Sequence, residues 1–217
     1  MQYPDLSPYS FVANNPIKYI DSHGDTIVIP NVKDREPILK MINARAKGVF
    51  GINDKGQLYV KNPNGAEGYS GYYRDRLIQA INSERTISIG IEQKVKIPHL
   101  AEDGKTLEEG KTEIDVDTRA GGGVTFGYEG TDQQVFISGN ENKNLKDTEG
   151  NTLTDGPEEI LMHELVGHAI PAIVGSDTGN AVQNENKARA EFSPGKNQQR
   201  APEPSHKETN KSPKVKK

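Results

Sequence analysis

Apolar residues along this chain follow two periods, and the period changes mark its elements. Asp25–Pro30 is a short run of β-branched residues, the pattern of a strand. Ile38, Leu39, Ile42 and Ala46 recur at helical spacing and predict a helix over 34–46. Val49–Ile52 and Gln57–Val60 flank Asn53-Asp54-Lys55-Gly56 and predict a hairpin. Leu77, Ile78 and Ile81 return to helical spacing within 72–82. Thr86–Ile91, Gln93–Ile97, Val124–Tyr128 and Gln134–Ser138 read as further strands, and the polar stretch 101–113 as a surface loop. Two helices close the pattern, Pro157–Ile173 and Asn180–Glu191. No internal repeat interrupts this series.

Composition divides the chain into three parts. Residues 1–24 are rich in Pro, Asn, Ser and Tyr, residues 25–192 hold nearly all the apolar patterning, and 193–217 are rich in Pro, Lys, Asn and Glu. Apolar residues are only 32% of 217, so a modest core with a disordered basic tail over 193–217 is expected. The net charge of −4 gives no general attraction to nucleic acid, although Lys and Arg outnumber Glu from Lys196 onward. No segment reaches the ~20 apolar residues of a membrane-spanning helix, and the start lacks signal-peptide character. With no cysteine, thiolate metal sites, disulfides and Cys nucleophiles are excluded, so any metal site must use His and carboxylates.

The segment with chemical content is Glu158-Glu159-Ile160-Leu161-Met162-His163-Glu164-Leu165-Val166-Gly167-His168. A hydrolytic zinc site takes neutral imidazoles as ligands, an open position for water and a carboxylate to receive its proton. His-Glu-x-x-His does this on a helix because i and i+4 stand about 40° apart. Here the histidines are i and i+5, about 140° apart on a regular α-helix, and could not share an ion there. A π-bulge absorbs the extra residue, and Gly167 stands where that distortion must be tolerated. Three polar groups in an apolar run are costly to bury without a purpose. His163 and His168 are therefore expected as zinc ligands and Glu164 as general base.

His-Glu-Leu-Val-Gly-His is similar to the His-Glu-x-x-Gly-His motif of dipeptidyl-peptidase III metallopeptidases. Over those six residues the resemblance implies the same zinc and base roles for His163, His168 and Glu164. The third ligand is sought beyond the turn at Pro171 and Gly175. Glu185 is the choice, because Arg189 at i+4 can orient its carboxylate; Glu191 and Asp177 are the alternatives. The metzincin position, six residues after the second His, is Val174. The remaining histidines, His23, His99 and His206, show no spacing that pairs them with the motif. Tyr128 and Tyr73 are candidates to polarise a carbonyl, and Val124–Tyr128 or Gln134–Ser138 to offer a sheet edge to substrate.

Tyr3-Pro4-Asp5-Leu6-Ser7-Pro8-Tyr9-Ser10-Phe11-Val12-Ala13-Asn14-Asn15-Pro16, followed by Asp21-Ser22-His23-Gly24, resembles the end of the Rhs/YD-repeat core. Ser22 replaces that family's Pro. The resemblance implies a variable effector cassette of a larger delivered or secreted protein, with a cognate immunity protein as partner. The expectation for 25–192 is an α+β, zincin-like domain: a small, mostly antiparallel sheet, an active-site helix and a following ligand helix. Its expected activity is zinc metallopeptidase chemistry on a protein or peptide. Zinc amidase or other non-peptidase toxin chemistry, and a binding module with a structural zinc, are the alternatives.

Overall fold

The structure is a computed structural model that describes residues 27–47, 49–62, 70–102, 107–192 and 198–210. The segment resembling the Rhs core, and His23 with it, lies outside the described residues.

Strand β1 (Ile27–Val28) leads into helix α1 (Val32–Arg45), whose N-cap Asn31 accepts a hydrogen bond from the Lys33 N–H. The hairpin β2 (Val49–Ile52) and β3 (Leu58–Asn62) follows, then α2 (Gly71–Ile81), capped by Ser70. After β4 (Ile87–Ile91), β5 (Lys94–Lys96) pairs with β8 (Glu113–Asp115), and β6 (His99–Leu100) with β7 (Leu107–Glu108). The expected surface loop over 101–113 thus carries short ladders at its ends. Helix α3 (Val116–Ala120) turns the chain into β9 (Gly123–Phe126), which pairs with β10 (Gln133–Ile137). A second hairpin, β11 (Asn142–Lys146) and β12 (Thr152–Asp155), precedes the last helices. Neither α3 nor this hairpin is visible in the apolar pattern, because their residues are mainly polar and half-exposed.

The closing helical run is continuous but not uniform. It comprises α4 (Pro157–Met162), a π-helix (His163–Ala169) and α5 (Ile170–Val174). Helix α6 (Ala181–Phe192) then packs against the π-helix.

The architecture is α+β, but the expected mostly antiparallel sheet is corrected. The principal sheet has the order β1-β4-β10-β9, with β1, β4 and β10 parallel and only β9 antiparallel. Parallel neighbours are joined by long crossovers rather than tight turns, so they leave no local hairpin signal in a sequence. Ile87, Ile89, Val135 and Ile137 are buried in one core with Leu161, Met162, Leu165 and Val166 of the helical run. The π-helix thereby packs against the sheet at β10 and the edge strand β9.

The expectation of a disordered tail is also corrected for residues 198–210, which form a strap over the body. The Thr148 N–H donates to the Gln199 carbonyl (3.1 Å) and the Ala201 N–H to the Lys146 carbonyl (2.8 Å), adding the strap beside β11. Farther on, the His206 carbonyl accepts from the Ala181 N–H (2.9 Å) at the start of α6, and the Asn210 carbonyl from the Glu129 N–H (3.0 Å). Hydrophilic composition predicts weak self-association, but these backbone bonds draw on groups exposed by other elements.

Candidate metal centre

The site begins at the turn into α4. Pro157 takes a first-turn position where its missing N–H costs nothing, and the Glu159 carboxylate accepts from the Gly156 N–H at 3.0 Å. The helix then widens, and the Ile170 N–H donates to the Leu165 carbonyl, five residues back. That extra residue per turn places the His163 and His168 rings 5.1 Å apart, centre to centre. Gly167 has a further role. A β-carbon there would stand 3.1 Å from the Ala181 Cβ, so the glycine also lets α6 approach the π-helix closely.

The third imidazole comes from the strap. His206 lies with its ring centre 5.0 Å from those of both His163 and His168. One ring nitrogen from each of the three histidines falls within 4.8 Å of the others, a group that can hold a metal ion. Glu185, expected as the third ligand, is at the site in another position. It is fully buried, and its Oε2 accepts from His163 Nδ1 at 2.7 Å while Oε1 accepts from Arg189 Nε at 2.6 Å. Its oxygens are therefore committed to the His163 imidazole and to a guanidinium, and the third member of the converging group is His206. The i+4 arginine does orient this carboxylate, as the sequence implied. The alternatives are elsewhere: Glu191 accepts from Ser70 Oγ, and Asp177 from the Tyr72 hydroxyl. His99 is exposed and pairs with Glu108.

Hydrogen-bond chemistry fixes the tautomer of each imidazole. His163 Nδ1 faces the Glu185 carboxylate, His206 Nδ1 faces the Glu203 carboxylate at 3.0 Å, and His168 Nδ1 faces the Glu208 carbonyl at 3.1 Å. Each partner is an oxygen that only accepts, so each Nδ1 carries a proton, and in the neutral ring it is Nε2 that presents a lone pair. His168 Nε2 and His206 Nε2 are 3.0 Å apart. Two lone pairs at that separation repel unless a cation lies between them. Burial pushes the His168 pKa down to about 3, with the charges of His163 and His206 adding to the effect, so protonation there is disfavoured. Burial also lowers His206, again reinforced by His163. A metal ion fits this arrangement: three ring nitrogens within reach of one another, each ring oriented by an acceptor behind it, with the ion taking the place of any Nε2 proton.

Behind the three histidines runs a buried ionic network. Arg189 lies between Glu185 and Asp155, with its terminal nitrogen 2.5 Å from Asp155 Oδ1. Burial raises the Asp155 pKa to about 6 against the pull of Arg189. Burial acts to raise Glu185 as well, but the charges of His163 and Arg189 win and hold it ionised, well below the ordinary range. For His163 burial acts downward, while the Glu185 charge and hydrogen bond shift the net value upward. Arg200, from the strap, donates to Glu203 at 2.8 Å and approaches Glu185 at 3.5 Å. One guanidinium thus braces the carboxylates behind two of the three imidazoles.

Glu164, next to His163, is 6% exposed and accepts from Thr125 Oγ1 of β9 at 2.7 Å. Burial raises its pKa, opposed by His163 and by the Thr125 bond. A β-carbon at Gly123 would stand 2.9 Å from Glu164 Oε1 and 2.7 Å from Ile160 Cγ2, so the bare glycine makes room for the carboxylate against the strand. The histidines and Glu164 line a cleft of about 430 Å³ that β9, the strap and α3 also border. Tyr73 is fully buried in the core, its hydroxyl without a partner among the described residues, Tyr128 lies in the turn after β9, and neither lines the cleft. Of the functional residues, sequence reasoning missed His206, Glu203, Arg200 and Thr125. The signal for the first three was a His, a Glu and an Arg inside an otherwise featureless tail.

No protein-family model matches this chain, and no curated protein or solved structure does either. No helix among the described residues is long and apolar enough to cross a membrane.

Proposed function

We propose that this protein is a zinc-dependent metallopeptidase of zincin-like plan, with His163, His168 and His206 as zinc ligands and Glu164 as general base. The observation that carries this reading is the convergence of one ring nitrogen from each of three histidines beside a buried carboxylate, all lining one cleft. Three imidazoles suit zinc, copper, iron or nickel, and the adjoining proton acceptor favours the redox-inert hydrolytic ion. Zinc bound there supplies Lewis-acid polarisation and acidifies water. Glu164 then accepts a proton from water and returns it to the leaving amine, and a raised carboxylate pKa suits both transfers. Thr125 keeps one Glu164 oxygen fixed and leaves the other to act. The edge strand β9 offers backbone groups to an extended peptide along the cleft.

A structural zinc site would be closed by a fourth protein ligand. Among the described residues the converging group has three members, and it faces a cleft. The resemblance of residues 1–24 to the Rhs core supports placing this domain as the effector cassette of a larger delivered protein, with an immunity protein as its partner.

Zinc content and cleavage of a peptide library test the reading together. The expected result is about one zinc per chain in wild type, lost in His168→Ala and His206→Ala and kept in Glu164→Gln, which no longer cleaves. A wild type that takes up no zinc, or a Glu164→Gln variant that cleaves as wild type does, would overturn it.

A further inference from the structure

The charged residues lining the cleft are Arg119, Asp155, Glu164, Arg200, Lys207 and Glu208, besides the histidines. Most already have partners. Asp155 is paired with Arg189, and Arg200 with Glu203 and Glu185. Glu208 accepts from the Thr178 N–H and Asn184 Nδ2, each at 2.7 Å, and from Ser176 Oγ and the Asp177 N–H. Glu164 is held by Thr125. The side chains of Arg119 and Lys207 are exposed and make no ion pair or hydrogen bond among the described residues.

These two cations stand at distinct places. Arg119 is in the last turn of α3, just before the chain enters β9, and so marks the cleft end where the edge strand begins. Lys207 directly follows His206 on the strap and so lies beside the imidazole cluster. The lining carries as many carboxylates as cations, but the two charged side chains that are exposed and without an ion pair or hydrogen bond among the described residues are both basic. An exposed, unpaired cation on a cleft wall is free to pair with an anionic side chain of a peptide laid along it.

We infer that the cleft selects peptides with acidic side chains flanking the bond to be cut, Arg119 and Lys207 being its specificity-determining residues. This rests on the metallopeptidase reading for the nature of the substrate, while the charge preference stands on the cleft itself. An exposed ion pair contributes about two- to fivefold in affinity, so two acting together give roughly tenfold, weakened by salt.

The test uses zinc-loaded Glu164→Gln protein and three labelled peptides of one length, carrying Glu, Gln or Lys on both sides of the centre. Fluorescence anisotropy gives each Kd at low and high salt, and turnover of the same peptides by wild type is measured in parallel. Tighter binding of the Glu peptide by about tenfold, abolished by Arg119→Gln with Lys207→Gln at unchanged zinc content, supports the inference. Equal binding of all three peptides overturns it, and so does an acidic preference that survives the double substitution. Acidic peptide bound but left intact by zinc-loaded wild type removes the peptidase reading and keeps the anionic preference. Cleavage without charge preference does the reverse.

Discussion

Each imidazole of the cluster is defined by the group behind it. Glu185, Glu203 and the Glu208 carbonyl hold the three Nδ1 protons and turn the three Nε2 atoms toward one another. Arg200 touches both carboxylates of this set, so its effect should appear in metal affinity without its touching the metal. Replacing Arg200 by Met is expected to weaken zinc binding about 10- to 100-fold, the usual scale for outer partners of a metal ligand. Arg200→Lys should recover part of that loss, since a point charge replaces a planar fork. Competition titration with a chelating dye, and the visible spectrum of the cobalt form, read this directly. An unchanged affinity and spectrum in Arg200→Met would show that Arg200 only docks the strap. Glu185→Gln tests the adjoining link, and it should loosen zinc while leaving Arg189 buried beside Asp155.

At the scale of elements, the π-helix reconciles two demands on one stretch of chain. The apolar residues Leu161, Leu165, Val166, Ala169 and Ile170 must all face the core, and His163 and His168 must meet. A regular α-helix would satisfy the first and separate the histidines by about 140°. The widened turn satisfies both, and it also requires α6 to pass close to Gly167. Gly167→Ala would bring a methyl to 3.1 Å from Ala181 Cβ. Overpacking of this kind costs about 1–3 kcal/mol, and a domain of this size then loses roughly 2–4 °C per kcal/mol in Tm. Thermal unfolding of the variant checks this, and an unchanged Tm would mean that α6 shifts freely. Gly123→Ala is expected to act differently, lowering turnover more than stability, because its methyl would meet the Glu164 carboxylate.

For the whole molecule, the strap makes the centre a long-range assembly. Its donors come from the π-helix and from a segment 38 residues later, joined by the His168–His206 contact. A chain ended at residue 197 would lack Arg200, Glu203, His206 and Glu208 together. It should bind no zinc, and added zinc should no longer raise its Tm, whereas the full chain gains stability by mass action with the ion. Full retention of zinc by the shortened chain would remove His206 from the centre. Glu208→Gln is a milder version. It weakens the anchor on residues 176–178 and Asn184, so zinc affinity should fall while His206 itself remains.

Local sequence was sufficient for the features that depend on neighbouring residues. The helical periods of α1, α2 and α6, the hairpin β2–β3, and the need for a lengthened turn between His163 and His168 all follow from spacing. So does the pairing of Glu185 with Arg189, which lies four residues on along the same helix. Tertiary structure alone decided the rest. The parallel order of β1, β4 and β10 depends on crossovers that leave no turn signal. The presence of His206 in the converging group, with Glu185 behind it, depends on where a polar strap lands, and that is set by backbone donors and acceptors on α6, β11 and the turn after β9. Those groups exist at every residue, so no side-chain pattern announces which of them will be satisfied from the tail.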